Sequence, residues 1–422
     1  MKIYFCARKL NVNRMKWERY SQQKIKKTIF GALGKNLNYR EAAPIGVPAS
    51  YLDPKVYYVD APFLKDAPFM STMVANPNHI GCHTLGDSEP VFKGTQAIEK
   101  ELIEMCATQI FRADENSIDG YVASGGTEAN IESFWVLRNY FMQEMGAKHQ
   151  EIAMVYSQDA HYSMPKGGNI LNIESIVAKV DTESRLIEID ALKQQLLDAQ
   201  SKGVKYFILV MNMSTTMFGS VDDMQASMDL FEELNLTYRI HIDGAYGGFI
   251  YPFSTNDVLY SFSNEKVFSV SLDGHKMLQS PYGTGIVLIR KSFIKYAMTK
   301  EANYVKGKDY TLIGSRSGAN AVAIWMIMRT YGSEGWIAKI AELIERTDML
   351  CEQLDDRNIA YFRHPYMNIV TIKPAHIKAE LAEKYFLVPD DHDNPNWWKI
   401  VVMDHVTNGV LDQFLLDLDH GT

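Results

Sequence analysis

Apolar positions along the chain follow two rhythms. After Gly94, the residues Ala97, Ile98, Leu102, Met105, Cys106 and Ile110 recur every three or four positions, which predicts an amphipathic helix to about Phe111. The short run YVASGG (121–126) is broken by glycines, and TEANIESFWVLRNYFMQEM opens a long helix behind it. Five unbroken apolar runs of strand length follow: IAMVYS (152–157), YFILVMNM (206–213), YRIHID (238–243), VFSVSL (267–272) and GIVLIR (285–290). Strands without polar alternation are buried on both faces, and helical patterns such as DDMQASMDLFEEL (222–234) lie between several of them. The pattern predicts an α/β fold, a mostly parallel sheet with helices on both faces.

The flanks read differently. Residues 1–70 are polar and uneven, with Lys24, Lys26 and Lys27 clustered and prolines scattered, so an arm of one helix plus extended segments is expected. It would wrap a partner subunit or lie as a lid on its own. From GSRSGANAVAIWMIMRTYG (314–332) onward, a helix, a strand (360–373) and further helix and strand patterns predict a small α+β domain. The expected division is therefore an arm at 1–70, a large domain at 71–313 and a small C-terminal domain at 314–422. The loop PDDHDNPN (389–396) reads as solvated turn, with a metal site from Asp390, Asp391, His392 and Asp393 as the lesser alternative.

Composition narrows the class. With 422 residues, 46% hydrophobic and 22% charged, the chain can bury a large core, and disorder is excluded. A net charge of −8 leaves no electrostatic footprint for nucleic acid or an anionic membrane. No apolar stretch approaches the ~20 residues of a membrane span. The four cysteines (Cys6, Cys82, Cys106, Cys351) form no CxxC pair, and the apolar run Ile3 to Ala7 is too short for a signal peptide. A cytoplasmic protein is expected.

Four local patterns carry chemistry. In SLDGHKMLQSP (271–281), Lys276 follows a buried strand, where desolvation favours the neutral amine that a Schiff base needs; a surface lysine is the plain alternative. In YRIHIDGAYGGF, Asp243 ends a strand and could hold a pyridine nitrogen protonated, with Ala245 small enough for a flat ring; a loop-capping carboxylate is the alternative. SGGTEAN (124–130) presents Gly125, Gly126 and Thr127 before a helix, where free N–H groups and the helix dipole suit a phosphate, although ordinary turn-and-cap chemistry looks the same. It is neither a Walker A loop nor GxGxxG. In DAHYSMPKGGNIL, His161 could stack on a flat ring or be an ordinary core or surface histidine.

Taken in chain order with Ser214-Thr215-Thr216 and GSRSG (314–318), these motifs strongly resemble the pyridoxal-phosphate-dependent group II amino acid decarboxylases of the aspartate-aminotransferase-like fold, from about residue 70 to the C-terminus. The resemblance implies pyridoxal 5′-phosphate as cofactor and Lys276 as its Schiff-base lysine. Asp243 would pair with the ring nitrogen, His161 and Ala245 would cover the two ring faces, and Thr216 would sit at the polar edge. Gly126, Thr127 and His275 would hold the phosphate, completed by Ser315 from the neighbouring subunit, which implies a homodimer. Tyr304, in a connector similar to that of histidine- and serine-decarboxylating relatives, would reprotonate the product carbon, with a packing role as the alternative. Asp273 departs from the small polar residue usual there and must point away from a phosphate or pair with a cation. Ser214 and Gly244 depart from the commoner Gly and Ala.

The reaction implied is α-decarboxylation of a small-molecule L-amino acid to its amine and CO2. In this family the stretch corresponding to NPNHIGCHTLGDSEP (76–90) meets the substrate, which makes His79 and His83 candidate substrate contacts; metal ligation by them is disfavoured by Gly81, Gly86 and Pro77. Two alternatives stand beside it: a carbon–carbon lyase similar to sphingosine-phosphate lyases, and a non-catalytic homologue. The second would be expected to have lost Lys276, Asp243 or His161, and all three are present.

Overall fold

The computed structural model describes residues 15–37, 52–53, 57, 60–80, 90–297 and 309–420. Tyr304 and His83 lie outside them. Among the described residues, strands β1 (Asn78–Ile80), β2 (Ile118–Ala123), β3 (Ile152–Ser157), β4 (Glu174–Ala178), β5 (Tyr206–Asn212), β6 (Thr237–Gly244), β7 (Val267–Asp273) and β8 (Gly285–Arg290) precede β9 (Ser315–Ser317). A smaller set follows: β10 (Tyr361–Phe362), β11 (Ile369–Ile372), β12 (Val388–Pro389) and β13 (Trp398–Val401).

The main sheet has the order β2-β8-β7-β6-β5-β3-β4. All neighbours pair in parallel except β8, which is antiparallel to both β7 and β2. The apolar run of β8 gives no hint of direction, because a strand buried on both faces reads alike either way. The connection decides it: only residues 274–284 join β7 to β8, too few for the helical crossover a parallel partner requires.

Side-chain alternation divides the sheet's apolar residues between two clusters, one on each face. In β5, Phe207, Leu209 and Met211 join one cluster, and Ile208 and Val210 the other. Helix α1 (Gln22–Leu33), helix α2 (Pro68–Ala75) and helix α3 (Lys93–Met105) belong to the N-terminal half. Ile29 of α1 and Leu102 of α3 bury in the first cluster. Helix α4 (Gly126–Glu144) and helix α5 (Ser163–Leu171) cover the second face through Phe134, Leu137 and Met164.

Beyond β9 the chain enters a helix of 39 residues, α6 (Gly318–Asp356), bent at Gly332. Its first half buries Ala321, Val322, Ile324 and Trp325 in the main core. Its last turns bring Leu350, Cys351 and Leu354 into a third cluster with β11, β13 and α7 (Asn408–His420). One helix thus serves two cores, all of it within the stretch 314–422 that the sequence assigns to the small domain. In the loop before β13, Asp390 and Asp391 accept hydrogen bonds from their own loop's N–H groups.

Candidate active site

Strands β2, β3, β5, β6 and β7 all run the same way, so their C-terminal ends share one edge of the sheet. That edge is where a parallel sheet offers a ligand crevice. A cavity of about 290 Å³ opens there and brings together Gly125, Gly126, Thr127, His161, Ala245, His275 and Lys276, all seven from the expected motifs and drawn from four segments distant in sequence. Asp243 lies just beneath, 6% exposed, accepting from Ala245 N–H (3.1 Å), Asn130 Nδ2 (3.3 Å) and Ser271 Oγ (3.4 Å).

Lys276 sits in the β7–β8 connection, with its side chain about one-third exposed at 32%. The sequence reading expects a more buried amine; a turn after the strand end, instead of the strand itself, carries it. Its Nζ is 3.2 Å from Asp273 Oδ2. Asp273 therefore pairs with a cation, as its charge requires. It also faces His275 Nδ1 at 3.5 Å and accepts the Gly126 N–H at 2.8 Å. Burial raises the Asp273 carboxyl above its ordinary value, against the pull of Lys276 and His275.

This contact reshapes the glycine loop. With Gly126 N–H satisfied by Asp273, α4 begins at Gly126 and has Gly125 as its N-cap without a side-chain cap. Thr127 occupies the first turn of the helix and lines the cavity. The loop is latched from below: Glu128 accepts Ser124 N–H at 2.7 Å and the Tyr121 hydroxyl at 3.0 Å.

His161 is steadied by Ser163, whose backbone N–H and hydroxyl both meet Nδ1, at 3.2 and 2.8 Å. Burial lowers its pKa, opposed by Asp243, so the ring is neutral near pH 7. The loop before it is pinned by the buried Asp159–Arg185 pair, with Arg185 stacked 3.8 Å over Phe218. Thr216 is exposed and outside the cavity lining; its carbonyl accepts from Lys399 Nζ at 3.2 Å. Lys399, on β13, lies outside the cavity lining but close enough to Lys276 to feel its charge, a proximity that one lysine in a strand gives no sign of. Burial, then the charge of Lys276, lowers its ammonium pKa.

The structure puts His79 elsewhere. It is 1% exposed on β1, with Nδ1 2.7 Å from Glu99 Oε2 and Nε2 2.9 Å from Thr95 Oγ1, so neither ring nitrogen is free for a substrate. Arg316 of β9 pairs with the same carboxylate, and Val122 N–H of β2 donates to it at 2.8 Å. Burial pushes Glu99 up, but Arg316 and His79 outweigh it and hold the carboxyl at about 2. The group locks the β1–β9 pair, and with it the GSRSG segment, to β2. Ser315 is exposed on β9 and outside the cavity lining.

Beside Glu128, the Glu132 carboxyl is fully buried, and among the described residues no donor stands at full hydrogen-bonding geometry to either oxygen, although the Tyr121 hydroxyl acts on it weakly. Burial, then the charges of Glu128 and Asp309, pushes its pKa well above the ordinary range. A raised folded-state pKa means the native protein holds a proton the unfolded chain releases, so stability falls as pH rises past the unfolded value. Glu132→Gln removes that burden and is expected to stabilise the protein by about 1–3 kcal/mol at pH 8 and less at pH 5. Thermal unfolding at the two pH values checks it; an equal gain at both would sink the account.

The residues present fit pyridoxal phosphate. A Cβ on Gly126 would stand 3.0 Å from Asp273 Oδ2 and 3.1 Å from the Ala245 methyl, so the cradle stays open only because this position is glycine. A buried carboxylate, a neutral imidazole and an amine converge around that opening.

Comparison with known proteins agrees. The pyridoxal-dependent decarboxylase conserved domain matches residues 73–365. Tryptophan decarboxylase of Clostridium sporogenes is 50% identical over 404 residues, covering 95% of this chain and 97% of that protein. An L-aspartate/L-glutamate decarboxylase of Pyrococcus horikoshii is 28% identical over 335 residues, covering 77% and 82%. Among solved structures, L-methionine decarboxylase from a Streptomyces species superposes with a TM-score of 0.67 at 20% identity, covering 81% of this chain and 86% of that one. A sphingosine-1-phosphate lyase of Burkholderia pseudomallei gives 0.66 at 21%, covering 77% and 76%; at such identities the likeness speaks for the fold alone. Fold, site and relatedness lead to one conclusion: the chain belongs to the pyridoxal-dependent decarboxylase family and is a pyridoxal 5′-phosphate-dependent amino acid decarboxylase.

Proposed function

We propose that the substrate is an aromatic L-amino acid, tryptophan foremost, and that the working unit is a homodimer in the cytoplasm. The observation that carries the substrate is the 50% identity to a tryptophan decarboxylase across 95% of the chain. Two tyrosines near the cavity support it: Tyr162, 63% exposed beside His161, and Tyr282, 87% exposed with its ring 5.2 Å from His275. Their uncovered faces suit an indole or phenyl ring. Exposed apolar side chains at Phe63, Met70, Met73, Leu312 and Ile313 support a second copy of the chain, whose Ser315 would complete the phosphate site. Burial of the free thiols Cys106 and Cys351 is compatible with a reducing compartment.

When bound, pyridoxal phosphate supplies the electron-poor ring that takes up the electron pair left by the departing carboxylate. Asp243, fixed by three donors, holds a proton on the ring nitrogen and so keeps that ring electron-poor. His161 and Ala245 confine the ring's two faces, and the first turn of α4 meets the phosphate with Thr127. Lys276 would hold the cofactor through its amine, and Asp273, 3.2 Å from Nζ, would balance the charge of that amine whenever it is protonated. Lys399 draws the substrate carboxylate toward the small-domain side. Tyr304 returns a proton to the product carbon.

The test is product identification. With loaded protein, tryptophan is expected to give tryptamine and CO2 with a kcat/KM roughly 100-fold above that for aspartate, the aromatic faces of Tyr162 and Tyr282 favouring an indole over a second carboxylate. Faster turnover of aspartate would overturn the aromatic assignment.

A further inference from the structure

Two side chains that hold the ring, His161 in the loop after β3 and Asp243 on β6, come from separate parts of the fold, yet they share one neighbour. Asn130, 1% exposed on α4, donates from Nδ2 to Ser163 Oγ (3.0 Å) and to Asp243 Oδ2 (3.3 Å). Its Oδ1 meets His241 Nε2 at 2.9 Å, and His241 Nδ1 meets Ser269 Oγ at 2.7 Å.

The backbone explains this convergence. Alternation in β6 turns Ile240 and Ile242 to one face of the sheet and leaves His241 and Asp243 on the face toward α4. The β6–β7 register then slips by one residue, from Ile240–Val267 to His241–Ser269. That bulge brings Ser269 abreast of His241 and Ser271 abreast of Asp243, where each makes its hydrogen bond. Without it, Phe268 would face His241.

The amide can point only one way. Turned over, Oδ1 would confront the Asp243 carboxylate and the Ser163 oxygen that already serves His161. With Nδ2 toward Asp243, Oδ1 needs a donor, which fixes the neutral His241 as its Nε2–H tautomer, its Nδ1 accepting from Ser269. Burial, opposed only by Asp243, holds His241 at about 4, so it keeps that neutral form across the working pH range. Ser163 Oγ accepts from Asn130 and gives its own proton to His161 Nδ1.

We propose that Asn130 is a positioning residue: its amide, oriented by His241, binds the ring-stacking imidazole and the ring-nitrogen carboxylate into one unit. The proposal rests on the roles given above to His161 and Asp243. It places one NH2 between the two groups, donating directly to the Asp243 carboxylate and, by way of the Ser163 hydroxyl, reaching His161 Nδ1. Other charges facing the unit are Lys276, Asp273 and Lys166 around His161, and Asp222 near Asp243.

Asn130→Asp keeps shape and the acceptor toward His241 but replaces the donor with a second carboxylate beside Asp243. Two carboxylates at that distance share a proton, one of them with a strongly raised pKa. In the pyridoxal-phosphate-loaded protein, N130D is expected to add a titration of the visible absorption band between about pH 6 and 9 that the wild type lacks. Its kcat should fall about 10- to 100-fold with KM little changed, the worth of a hydrogen bond to a charged group. Asn130→Ala, which adds no charge, should lose kcat similarly and weaken the visible circular dichroism of the bound ring without the new titration. His241→Gln, whose amide keeps a donor toward Oδ1, should retain most of the wild-type signal.

N130D with a wild-type spectrum at every pH and wild-type kcat would overturn the proposal. Should N130D fail to fold, N130A decides: unchanged kcat and ellipticity would sink it equally. A wild-type protein that shows no visible band with pyridoxal phosphate would instead defeat the cofactor roles themselves, a separate and recognisable failure.

Discussion

Lys276→Ala is expected to abolish the visible absorption band of the loaded protein and to cut decarboxylation by roughly 10³-fold or more, within the range of lost covalent and proton-transfer catalysis. The lysine is the cavity-lining amine, and its Nζ lies 3.2 Å from a carboxylate that can take up its charge. Its position in a turn, at 32% exposure, means that truncation to alanine opens no hole in the core, so the fold should persist. Added alkylamine should restore part of the rate by entering the vacated space. A variant that keeps the band, or turns over within a few-fold of wild type, would remove Lys276 from the chemistry.

Asp243→Asn is the second large effect. The substitution keeps the size of the side chain but deletes the buried negative charge that three donors orient. A neutral amide cannot hold a proton on the ring nitrogen, so kcat is expected to fall by about 10²–10³, the worth of a preorganised charge in a site sheltered from water. The decisive comparison pairs this rate with cofactor affinity. Tight binding together with slow turnover marks an electronic role, whereas wild-type turnover by D243N would refute it. Asn130 faces the altered group directly, and its Nδ2 would then meet an amide, so some loss of ring fixation should accompany the rate change.

Much of this site is legible in the chain because its parts are local. A glycine pair before a helix, an aspartate closing an apolar strand and a lysine in a short connection each signal their backbone setting within a few residues. What escapes is whatever depends on distant pairing. His79 sits in a stretch with proline and glycine and no periodicity, so nothing nearby tells which way it faces; its orientation comes from β9, more than two hundred residues later. Asp273 reads as an intruder beside a phosphate loop until the fold supplies both Lys276 and the Gly126 N–H. The bulge at Phe268 and the antiparallel run of β8 are properties of pairing between strands, and a buried apolar strand carries no mark of either. Ser214 shows the converse: its φ of 147° is one glycine adopts more cheaply, which gives a physical reason for the glycine that the family resemblance leads one to expect there.

The bend in α6 has a mechanical consequence. Gly332 holds φ at 66°, and a Cβ there would fall 2.8–3.0 Å from Arg19, backbone included. Tyr20 N–H and Ser333 N–H tie the same stretch across to the helix, through Arg329 and Trp17 carbonyls. The N-terminal segment is thereby wedged into the elbow of a lever whose near arm lies in the main core and whose far arm carries the third cluster and Lys399's strand. Any swing of the far arm must pass through an elbow already splinted by the chain's own beginning. Strain introduced at Trp17 or Arg19 would therefore be felt, by leverage and without direct contact, as a change in how closely Lys399 approaches Lys276.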